Sequence, residues 1–89
     1  MSRPELTFEE FCQLPFKYVL GLTGDWWAAR SYRNDQYGVQ IEVRTTRKHH
    51  GGWKPEERFY FLDWDGRTFT TLDQVYVAYM ETVCGVENT

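Results

Sequence analysis

The sequence predicts an α+β fold: a short N-terminal helix, an antiparallel meander sheet of three to five strands, and a C-terminal helix, with both helices on one face of the sheet. Three observations predict it. Helix-capping signatures stand near both ends, TFEE from Thr7 and TLDQ from Thr71. Between them apolar and polar residues alternate with period two, clearest from Val39 to Val43. Turn residues recur at intervals too short for crossover connections, so consecutive strands pair antiparallel and the terminal helices most simply share one side.

The elements follow in order. Thr7 is the N-cap of a helix running to Gln13, Glu10 completes the capping box, and Leu6 is placed to staple against Phe11. Leu14-Pro15 ends it, because proline disfavours the α conformation in the residue before it. Residues 16–22 (FKYVLGL) read as a strand or extended segment, with a helical continuation from Tyr18 as the alternative. Thr23-Gly24 turns the chain into a strand opened by Trp26 and Trp27. In that strand Trp27, Ala29 and Ser31 share one face, and the small Ala29 and Ser31 suit a face covered by a helix. NDQYG breaks to the strand 39–47. KHHGGWKPEE, from Lys48 to Glu57, is the longest irregular stretch. Arg58 to Trp64 reads as a strand apolar on both faces and therefore well covered. Asp65-Gly66 reads as a two-residue hairpin turn into a short strand 67–70. Thr71 then caps the last helix, with Gln74 at the capping-box position. Its buried face is Leu72, Val75, Tyr76, Tyr79, Met80 and Val83, and Gly85 is placed to end it.

At 89 residues the chain is one domain, 1–89. Aromatic residues make up 18% of it, so large rings supply much of the core, and any that lie beyond the reach of the helices become a binding platform. The net charge of −3 argues against a protein that coats nucleic acid through its overall field. Cys12 and Cys84 stand near opposite ends with no C-x-x-C, which fits free thiols in a reducing compartment. With no secretory leader pattern and no long apolar run, the expected protein is cytoplasmic and makes no membrane contact.

Two stretches carry candidate function. The first is the outward face of the Trp strand, Trp26, Arg30 and Tyr32, joined by Arg44 from the next strand. Trp, Tyr and Arg combine contact area with a polar handle, which is why they dominate binding hot spots. Locally GDWWAARS, from Gly24 to Ser31, resembles the strand of SH3 domains whose Trp binds proline-rich peptides. The resemblance covers eight residues and lacks that family's ALYDY-type and SNYV-type stretches. It implies an exposed Trp26 and not an SH3 barrel. The second is the basic stretch from Arg44 to Lys54, where Arg47, Lys48, His49, His50, Trp53 and Lys54 offer cations and an aromatic to phosphates and bases.

Metal binding is not expected, since adjacent His49 and His50 point apart on an extended chain and no second ligand pair stands at zinc spacing. Catalytic motifs are missing as well, and no cofactor fingerprint occurs. The expectation is a small non-catalytic protein-binding module of adaptor or inhibitor type, with nucleic-acid binding through 44–54 as the alternative. A homodimer using the aromatic face is a further partner option.

Overall fold

The computed structural model describes residues 4–84. Helix α1 is Phe8–Cys12, the strands are β1 Lys17–Thr23, β2 Trp27–Asn34, β3 Val39–Thr46, β4 Glu57–Leu62 and β5 Asp65–Phe69, and helix α2 is Leu72–Val83. The strands form one antiparallel meander in the order β1-β2-β3-β4-β5. The predicted α+β architecture is therefore what the chain adopts, and the 16–22 stretch forms a strand, Lys17–Thr23.

Local chemistry explains the helix ends. The Thr7 hydroxyl accepts from the Glu10 N–H at 3.1 Å while the Thr7 N–H donates to the Glu10 carboxylate at 2.8 Å, a complete capping box. At α2 the box is shifted by one residue: the Gln74 N–H donates to Thr71 Oγ1, but the Gln74 side chain accepts from Thr70. The expected Gly85 terminator lies outside the described residues. Pro4 and Leu6 carbonyls accept from Tyr79 and Tyr76 hydroxyls at 2.9 and 2.6 Å, tying the N-terminal segment to α2.

The core lies at one end of a molecule measuring 51 × 23 × 22 Å. Phe11 of α1, Val75, Ala78 and Tyr79 of α2, and Val39, Tyr60, Leu62 and Phe69 of the sheet are buried together. Helix α2, 12 residues and so about 18 Å long, packs on β4 and β5, with α1 packed against it on the same side. Neither helix reaches β1 or the far end of β2. That half of the sheet stands free.

The register decides which residues face the helices. Asn34 pairs with Val39 and Val39 with Leu62, all buried, so the same face carries Tyr32, Arg30 and Ala28 back along β2. The sequence expectation that Trp27, Ala29 and Ser31 lie under a helix is thus reversed. They face the open side, because pairing with Val39 sets the parity of the whole strand. Likewise β4 is covered on one face only. Tyr60 and Leu62 are buried, whereas Phe59 and Phe61 lie on the open side.

One turn differs from expectation. The β4–β5 reversal uses Asp63-Trp64, since Leu62 pairs with Asp65, so Asp65 and Gly66 belong to the strand. Asp65 is retained there by Arg67, whose backbone and guanidinium both donate to it. The stretch after β3 stays irregular up to Glu56, as expected, apart from an isolated bridge of Arg47 to Trp53. The Lys48 N–H donates to the Gly52 carbonyl across a turn in which Gly51 and Gly52 have φ of 94° and 76°, a backbone that only glycine adopts without strain.

Candidate functional site

The helix-free half of the sheet exposes most of its large side chains. Every residue of β1 is exposed, including Tyr18, Val19, Leu20 and Leu22. A β-bulge at Val19 shifts the parity of the strand, so that Leu20 and Leu22 pair with Ser31 and Ala29 and share the open face with Trp27. Trp26 projects from the bend before β2 at 62% exposure, while its carbonyl accepts from the Arg47 N–H at 2.8 Å. Trp53 on the basic hairpin is also exposed, so three of the four Trp residues lie on this half.

The four predicted protein-binding residues do not form one patch. Arg30 pairs with Val43, so its neighbour Arg44 emerges on the opposite face. There the Arg44 guanidinium lies 4.3 Å from the centre of the Phe59 ring and donates to Glu42 at 2.7 Å. Arg33, also on the open face, is fully engaged by Asp63 and Asp35, which hold its guanidinium pKa above the ordinary value.

Arg30 and Tyr32 instead line a trough on the helix-side face, in the part α2 does not reach. It holds about 440 Å³ between Phe16, Ile41, Val43, Glu56 and Arg58. Arg30 donates to the Tyr32 hydroxyl at 3.2 Å and to the Glu56 carboxylate. A larger depression of about 660 Å³ between β5 and α2 is shallow, and Arg67 at its rim is already held by Asp65. Thr68 and Asp73 add polar groups to its lining, but the depression lacks the enclosure that orients a ligand.

All six residues of the basic candidate are exposed on one hairpin. Arg47 lies 5.9 Å from the centre of the Trp53 ring, and the His49 and His50 rings meet edge-on at 5.0 Å. With Arg44 committed elsewhere, Arg47, Lys48 and Lys54 are the cations of this tip. Among the described residues no group of three or more His, Cys, Asp or Glu stands together as a metal-binding set, and Cys12 and Cys84 are free and exposed. No described helix is long and apolar enough to cross a membrane.

Sequence reasoning read 16–22 as a strand but assigned no binding role to it, nor to Glu56 and Arg58. The signal for β1 was present: FKYVLGL has no apolar–polar alternation, yet the first strand of a meander is an edge, where a strand of that kind has one neighbour and no second layer. The chain is thus a small α+β domain with a five-stranded meander half covered by helices. No protein-family model, curated protein or solved structure matches it.

Proposed function

We propose that the protein is a non-catalytic protein-binding module, of adaptor or inhibitor type, that docks through the half of its sheet left bare by its own helices. One observation carries this: β1 is exposed along its whole length, Leu20 and Leu22 included, and Trp26 and Trp27 stand open beside it. Monomeric proteins rarely leave so many large apolar side chains contiguous and solvated unless a partner covers them. Burying each contributes about 25 cal/mol per Å² of apolar area, and Trp residues concentrate that gain in few contacts.

Site-specific photo-crosslinking in the producing cells tests the proposal. A photoreactive residue at Leu22 or Trp26 is expected to capture one defined protein, whereas the same residue at exposed Val77 of α2 captures none. Retention of the same adduct by a folded Leu20→Lys, Trp26→Ala protein overturns the surface assignment. A second copy of the chain is the competing occupant, and an adduct at twice the monomer mass identifies it.

The second reading, nucleic-acid binding, is favoured by the clustering of Arg47, Lys48, His49, His50, Trp53 and Lys54 on one exposed tip. Three cations limit the slope of log K against log salt to about −2.7 for duplex DNA. That is weak beside proteins making 6–10 phosphate contacts, so the protein-binding reading is preferred. Fluorescence anisotropy across a salt series decides, with Arg47→Ala and Lys48→Ala expected to remove most of any slope.

A further inference from the structure

The trough on the helix-side face has a chemistry that the apolar edge lacks. Arg30, Val43 and Arg58 lie side by side on three successive strands. Two strand spacings put the Arg30 and Arg58 backbones about 10 Å apart. Val43 between them is only 5% exposed although no helix covers it. Ile41 and Phe16 extend this apolar floor.

The two arginines differ in occupancy. The Arg30 guanidinium is engaged by Tyr32 and by Glu56, which already lays a carboxylate into the trough. The Arg58 side chain has no hydrogen bond or ion pair among the described residues, and it leaves one uncompensated positive charge over an apolar floor. A guanidinium in that setting selects a planar carboxylate, which it binds by two parallel N–H donors.

Resting on the protein-binding reading, we infer that this trough receives an Asp or Glu side chain of the partner protein, presented next to an apolar residue that fills the space over Val43 and Ile41. The volume of about 440 Å³ suits one acidic side chain with an apolar neighbour. A nucleic-acid backbone fits worse, because successive phosphates need several cations and Glu56 repels them. Glu56 is therefore an internal competitor: it holds Arg30 in the free protein and sets how strongly the second carboxylate is drawn in.

Solution NMR on the full chain tests this with the peptide acetyl-Leu-Asp-Leu-amide as probe and acetyl-Leu-Asn-Leu-amide as control. The Asp peptide is expected to shift the Arg58 Nε–H signal and the Val43 and Ile41 methyls. The Asn peptide and the Arg58→Gln protein should each bind about two- to fivefold more weakly, the range an exposed ion pair supports. Glu56→Gln should bind the Asp peptide more tightly, because Arg30 is released from a charged competitor. Equal binding of the two peptides overturns the inference, as does weaker binding by Glu56→Gln or stronger binding of inorganic phosphate or a short oligothymidylate. If the Asp peptide fails while crosslinking from Leu22 or Trp26 still captures a protein, the trough assignment alone falls. Loss of that capture without loss of peptide binding removes the edge assignment instead.

Discussion

Replacement of Asn34 exposes how the two halves of the fold are joined. Asn34 is buried, its amide donates to the Pro15 carbonyl at 2.9 Å, and its carbonyl accepts from the Tyr37 N–H at 2.9 Å. One side chain thus binds the segment leaving α1 to the β2–β3 turn. Asn34→Ala leaves both part-buried backbone groups without this partner, at about 1–2 kcal/mol each, so about 2–4 kcal/mol in all. For a chain of 89 residues, whose total stability should be about 4–13 kcal/mol, that is a large fraction. The melting temperature should fall by about 10–25 °C. Asn34→Asp adds a sign. It keeps the acceptor for Tyr37 but sets a carboxylate oxygen against the Pro15 carbonyl, so burial and repulsion raise its folded pKa above the unfolded value of about 3.9. A raised carboxyl destabilises above the folded pKa and recovers below it, where the protonated acid donates to Pro15. Urea titrations at pH 7 and pH 4 measure this. A loss under about 0.5 kcal/mol for Asn34→Ala, or an Asn34→Asp protein whose deficit relative to wild type is greater at pH 4, refutes the reasoning.

Other expectations are more local. Asp65 is held at about 2 by hydrogen bonds from the Arg67 guanidinium and backbone. Its folded pKa lies below the unfolded one, so its contribution is present above about pH 4 and lost as pH falls towards 2; Asp65→Asn should flatten that part of an acid-stability curve and leave pH 7 to 9 parallel to wild type. Gly24→Ala drives a methyl into the Trp27 indole nitrogen, so the ring must move, and Trp fluorescence should change with little loss of core stability. Tyr79→Phe removes the donor to the Pro4 carbonyl and should cost about 0.5–1.5 kcal/mol in denaturant titration, with faster amide exchange in residues 4–7 than in β3.

What the amino-acid sequence determined was whatever short-range chemistry decides. The caps at Thr7 and Thr71, the stop at Pro15, the turn after Asn34 and the alternation from Val39 to Val43 each rest on interactions within a few residues, and each is found in the fold. The exposure of Trp26 does not belong with them: the sequence pattern put it in the strand, and the fold sets it in the bend before β2 with its ring in solvent. Tertiary structure decided the faces. Asn34 against Val39 fixes the parity of β2, and that pairing separates Arg44 from Arg30 and turns Ala29 and Ser31 to the open side. The reach of α2 decides where the core ends, and therefore that β1 is exposed and that Arg58, among the described residues, stands unpaired beside Val43. Register and helix reach depend on contacts between residues far apart in the chain. A period-two pattern says that a strand has two faces, and only its neighbours settle which of them meets water.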